Sequence, residues 1–168
     1  LVYLQGCPDP ETPAFKKRGQ IIQEMRQKVA DRFEAWLRTE LRQRSYTGPG
    51  TAISENYEYD ILAISEEKKI IVVADAKYRD MPLSSFTRDN LIRQELLGPH
   101  ALREEAERQQ LRLDYFQGDI ARFEKHLHPK KPWGQYSIEG FLVTKQVPLA
   151  DVYKSIRIME APSFLSAV

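Results

Sequence analysis

Residues 57–78 read YEYDILAISEEKKIIVVADAKY. Ile, Val and Tyr crowd both ends and the middle is polar. That pattern predicts a β-hairpin: a strand from Tyr57 to Ile64, an exposed turn at Ser65-Glu66-Glu67-Lys68, and a second strand from Lys69 to Tyr78. The second strand is apolar without a break from Ile70 to Ala74, as a central strand buried on both faces is. Two carboxylates stand where apolar residues are expected. Asp60 interrupts the first strand, and Asp75 closes the apolar run, with Lys77 two residues later. Side chains alternate along a strand, so Asp75 and Lys77 share a face. With Glu66-Glu67 as a two-residue tip, Asp60 opposes Val73 and Glu58 opposes Asp75. Cross-strand partners share a face, so Asp60, Val73, Asp75 and Lys77 line one side, with Asp60 diagonal to Asp75 at roughly 7 Å. A tip one residue longer would turn Asp60 to the other side.

Asp-x-Lys by itself is commonly a solvated strand end. Two carboxylates and a lysine at the end of a buried strand are different, because they are expensive to desolvate without a counter-charge. A divalent cation supplies one. Mg²⁺ takes carboxylate oxygens and keeps several waters, and water bound to it is acidic enough to attack a phosphodiester. The lysine can orient or help deprotonate that water, or neutralise charge developing on the phosphate. The residues suit metal-assisted phosphodiester hydrolysis, with Mn²⁺ as a substitute ion.

Upstream, Ile22, Met25, Val29, Phe33, Trp36 and Leu37 recur at helical spacing, predicting a helix over Ala14–Gln43 that stops before Gly48-Pro49-Gly50. Residues 1–13, with Pro8, Pro10 and Pro13, read as an extended lead-in to a single α/β domain over 14–168. Downstream, residues 79–99 read as a connection with a short helix near Asn90–Leu96. Ala101–His126 is a second helix that Gly118 kinks or divides. Ile138–Thr144 is a third strand and Val152–Met159 a fourth. The expected fold is a small mixed sheet flanked by helices.

The 168 residues are 42% hydrophobic and 29% charged, which excludes a disordered or collagen-like chain. The longest apolar run is far too short to span a membrane. A single cysteine, Cys7, and no basic-then-apolar leader fit the cytoplasm. Net charge is +1, but its distribution is uneven. Residues 16–44 hold nine basic and four acidic residues, and residues 45–76 hold two and six.

Asp60, a gap of fourteen residues, then Asp75-Ala76-Lys77 resembles the PD-(D/E)xK nuclease motif. The wording Val72-Val73-Ala74-Asp75-Ala76-Lys77-Tyr78-Arg79 is most similar to the nuclease subunits of McrC-type restriction systems and related defence nucleases. Tyr59 stands where the family name has proline. The resemblance covers roughly residues 20–145, and its specific part is about twenty residues long. It implies a restriction-endonuclease-like core of helix, three strands, helix and strand, with one early strand short or unseen here. It implies DNA as substrate, metal ligation by Asp60, Asp75 and the Ala76 carbonyl, and Lys77 as the catalytic lysine. It implies a glutamate from the first helix. Glu34 is chosen from Phe33-Glu34, with Glu40, inside the apolar stripe, and Glu24 as competitors. It also implies an NTP-driven motor or recognition partner, or a homodimer, and a role in defence. The competing reading is a non-catalytic nucleic-acid-binding or assembly module on the same fold.

Gln109, Gln110 and Tyr115 do not match the Gln-x-x-x-Tyr spacing of some relatives and read as a polar helix surface. Arg108 and Arg112 are placed either on phosphate or against Glu104, Glu105 and Glu107. His100, His126 and His128 lack metal-ligand spacing. Lys130-Lys131-Pro132-Trp133 reads as a loop anchored by a buried Trp, with base stacking as the alternative.

Overall fold

A computed structural model describes residues 13–53, 57–78, 102–145, 148 and 152–168. The expectations for the lead-in before Pro13, Cys7, the 79–99 connection with its helix, and His100 lie outside them. The described chain is a mixed α/β fold. A six-stranded sheet in the order β1-β2-β3-β4-β6-β5 is flanked by helices on both faces. The elements are α1 (Pro13–Gln43), β1 (Thr47–Ile53), β2 (Glu58–Ser65), β3 (Ile70–Lys77), α2 (Leu102–Gly118), α3 (Glu124–Leu127), β4 (Ser137–Thr144), β5 (Val152–Tyr153), β6 (Ile156–Glu160) and α4 (Ala161–Ala167).

β3 is central. It pairs antiparallel with β2 and parallel with β4, and Ile71–Ala76 are buried. Its even-numbered side chains, Val72, Ala74 and Ala76, pack with Phe33, Leu37 and Leu41 of α1 and Phe164 of α4. Its odd-numbered Ile71 and Val73 pack with Leu113 and Phe116 of α2. Two apolar layers thus close on one strand, and its carboxylate end lies between α1 and α2. No described helix is long and apolar enough to cross a membrane.

Several expectations need correction. The hairpin tip has four residues, Glu66–Lys69. Lys69 takes a left-handed φ of 55°, and the Ser65 hydroxyl accepts the Lys68 N–H at 3.2 Å. The register therefore runs Ser65 opposite Ile70 and Ile61 opposite Ala74. Relative to the two-residue tip this is a slip of two, which keeps the faces of the paired residues 61–65, and the ladder ends at Ile61 and Ala74, just short of Asp60 and Asp75. Gly48-Pro49-Gly50 is not only the end of a helix but part of β1. The strand is at the sheet edge, where a missing N–H does little harm. The fourth strand is two: β5 and β6 form a tight hairpin turning at Lys154, φ 51°. Gly118 does divide the second helix, as expected: α2 ends there, and a 3-10 turn, Ile120–Phe123, and α3 follow. The apolar stripe of α1 is only partly core, since Ile22, Met25 and Trp36 stay exposed while Phe33, Leu37 and Leu41 are buried.

Candidate active site

The decisive local feature is a β-bulge. β1 residue Gly50 pairs with Leu62 and Ala52 with Tyr59, so Asp60 and Ile61 together oppose one β1 residue. An extra residue bends the strand and re-aims its side chains. Tyr59 and Leu62 therefore both enter the α2-side core while Ile61 enters the other. Asp60 is left at the bend, turned toward β3. Its Oδ2 accepts the Ala76 backbone N–H at 3.0 Å, and its carboxyl lies within hydrogen-bond reach of Asp75.

Asp75 is 1% exposed, and two cations stand beside it. Lys77 Nζ is 3.0 Å from its Oδ1 and Arg112 Nη1 is 2.9 Å from its Oδ2. The second contact is an ion pair without the alignment of a hydrogen bond, so among the described residues Asp75 Oδ2 is buried with no hydrogen-bond donor. Lys77 Nζ also lies 3.8 Å from Glu105 Oε2, and 30% of its side chain remains open to solvent.

The two carboxyls titrate apart. Burial, then the hydrogen bond and charge of Asp75, push Asp60 up to about 8. Burial opposes ionisation of Asp75 too, but the Asp60 hydrogen bond, Lys77 and Arg112 outweigh it and hold Asp75 below its ordinary value. The pair thus shares one proton at neutral pH. Burial lowers the Lys77 pKa, but Asp75 and Asp60 more than reverse this, so Lys77 is a firm cation.

Of the three α1 glutamates, Glu34 is the one linked to this cluster, through Arg38. Arg38 Nη2 donates to Glu34 Oε2 at 2.6 Å and Arg38 Nε to the Asp60 carbonyl at 3.1 Å. Burial raises the Glu34 pKa, partly offset by Arg38. Glu40 instead pairs with Arg44 at 2.7 Å, and Glu24 is exposed. Ala76 meets the pair through its N–H.

α2 brings residues that the sequence reading placed elsewhere. Gln109 and Gln110 are buried, not a polar surface. Gln109 Nε2 donates to the Val73 carbonyl at 2.9 Å, and Gln110 bridges Asp114 and the Ser155 N–H. Tyr115 packs edge-on against Tyr57. Arg108 pairs with Glu104 and Glu105, whereas Arg112 pairs with Asp75. The available signal was polar residues inside an apolar stripe. Glu105, Gln109 and Arg112 recur at helical spacing among Leu102, Ala106 and Leu113. His126 and His128 are exposed. The Lys130–Trp133 loop is tied to the β2–β3 turn, at the far end of β3. Glu66 accepts the Tyr136 hydroxyl at 2.8 Å and the Lys130 N–H at 2.9 Å, and Trp133 is only partly buried.

Among the described residues no three His, Cys, Asp or Glu side chains are grouped to hold an ion. The donor set still fits Mg²⁺, which is usually bound by one or two carboxylates and keeps its waters. Two opposed carboxyls holding one proton, one with an oxygen lacking a donor, offer such a pair. No protein-family model, curated protein or solved structure matches the chain.

Proposed function

We propose that this chain is a divalent-metal-dependent endonuclease that hydrolyses DNA phosphodiester bonds on a restriction-endonuclease-like core. The observation that carries the reading is the meeting of Asp60 and Asp75 across β2 and β3, on a bulge, beside Lys77. The order helix, three strands, helix, strand is that of the core named above, with β1 as its early strand. Asp60 and Asp75, with the Ala76 carbonyl, would hold Mg²⁺ or Mn²⁺. The ion supplies Lewis acidity and lowers the pKa of a bound water.

Lys77, cationic and part exposed, orients the attacking water and neutralises charge on the phosphate. Glu34 acts by position: it fixes Arg38, which grips the Asp60 carbonyl. In this reading site choice falls to a partner, such as an NTP-driven motor in a defence system, or to a second copy. One observation favours the second reading, a binding or assembly module: Lys77 and Arg112 already neutralise Asp75 without any ion.

The test is incubation of plasmid, linear DNA and RNA with the chain in Mg²⁺ and Mn²⁺. Cleavage of DNA that disappears in Asp75→Ala and Lys77→Ala, with circular dichroism preserved, is the expected result. Binding without cleavage overturns the proposal in favour of the module, and cleavage indifferent to both changes overturns the assignment of Asp75 and Lys77 to the site. Cleavage of RNA alone reassigns the substrate.

A further inference from the structure

A groove of about 460 Å³ lies at the carboxylate end of the sheet, on the α1 side. Phe33 and Trp36 of α1 meet there with Tyr78, the residue after Lys77, and with the Ala161-Pro162 start of α4. Its wall is aromatic. The Phe33 and Trp36 rings are 6.0 Å apart and 26° from parallel, and Tyr78 meets Phe33 edge-on at 6.1 Å. Trp36 stays 43% exposed. An exposed Trp alone asks for no explanation, but here it has charged company. Arg32 and Lys145 are also among the lining residues, and among the described residues no acidic one is. Lys145 Nζ is fixed by the Tyr78 hydroxyl at 2.9 Å and lies 4.5 Å from the centre of that ring.

The groove adjoins the reactive end through three chain neighbours. Tyr78 follows Lys77, Lys145 follows Thr144, which pairs with Lys77, and Glu34 follows Phe33. A flat apolar slot whose described charges, Arg32 and Lys145, are positive complements a flat ring carried on a phosphate chain. We propose that the groove takes an unpaired nucleobase of a single-stranded polynucleotide, stacked on Trp36, with its flanking phosphates against Arg32 and Lys145. This deepens the nuclease reading and rests on it only in calling the strand a substrate. In a duplex both faces of each base are covered by neighbours, so the slot selects single strands or frayed ends. Stacking accepts any base.

The test uses the full chain carrying Trp133→Phe, so that Trp36 is the remaining one of the two tryptophans. Its fluorescence is titrated in EDTA with single-stranded DNA, the same strand with abasic sites, blunt duplex, and the matching RNA. Quenching by a single strand is expected, and the DNA and RNA arms identify the preferred sugar. Affinity followed by the polarisation of a labelled strand falls about tenfold in Trp36→Ala, recovers in Trp36→Phe, and is weak for the abasic strand. Equal binding of abasic strand or duplex, or no loss in Trp36→Ala, overturns the proposal. So does Trp36 emission that shifts with protein concentration alone, which gives the groove to a second copy. The measurement involves neither metal nor cleavage. A chain that binds this way but never cuts therefore refutes the nuclease reading alone, and one that cuts without this binding refutes the groove alone.

Discussion

Asp60→Asn should stabilise the metal-free chain in mild alkali and do little near pH 5. The folded chain holds a proton on Asp60 that the unfolded chain does not, because its pKa rises from 3.8 to about 8. The stability linked to that proton is complete below the unfolded value and is lost as pH climbs through about 8. Asp75 works oppositely: its depressed pKa contributes stability above its unfolded value and loses it in acid, so the informative window lies above pH 5. A shift of about four units at about 1.4 kcal/mol each sets a ceiling near 5–6 kcal/mol. The coupled Asp75 takes part of this back, leaving about 1–3 kcal/mol. Asn mimics the protonated acid. Its carbonyl can accept the Ala76 N–H and its amide can donate to Asp75, with no charge to desolvate. Urea unfolding in EDTA at pH 5 and pH 8.5 reads the difference as a rise in midpoint at pH 8.5, with little change at pH 5. Equal destabilisation at both pH values would refute the shared-proton account.

Three further substitutions test particular contacts. Arg112→Met should lose about 3 kcal/mol of stability in EDTA at pH 7, because Asp75 keeps only Lys77 as a counter-charge. The same variant should bind Mn²⁺ several-fold more tightly in calorimetry, since an ion no longer competes with the guanidinium. Gly48→Ala should destabilise by about 1–3 kcal/mol in urea. Its φ is +72°, and an added Cβ would stand 2.7 Å from the His126 backbone oxygen. Phe141→Ala should cost about 3–5 kcal/mol in the same assay, because Phe141 is fully buried edge-on against Phe164.

The hairpin was legible because a period of two survives an error of two. Four tip residues instead of two slide the register by two, which leaves Leu62 still facing the same side as Val73, and the Asp60 carboxyl still reaches the end of β3, at the Ala76 N–H. The bulge was not legible, since it depends on β1, and β1 hides in Gly48-Pro49-Gly50, residues that normally end elements. The role of α2 was obscured for a chemical reason. A helix that covers a charged strand end must itself be polar there, so Glu105, Gln109 and Arg112 look like a solvated face. Glu34 could be singled out beside Phe33, but Arg38, which joins it to Asp60, carries no signal that a surface arginine would lack.

Calorimetry with Mn²⁺ on the wild type and on Asp75→Asn, repeated in buffers of different ionisation enthalpy, tests the metal assignment most directly. The account predicts one site that releases about one proton at pH 7, because an ion must displace the proton the two carboxyls share. It also predicts that the site vanishes in the variant. Binding without proton release, or binding that survives Asp75→Asn, would contradict it.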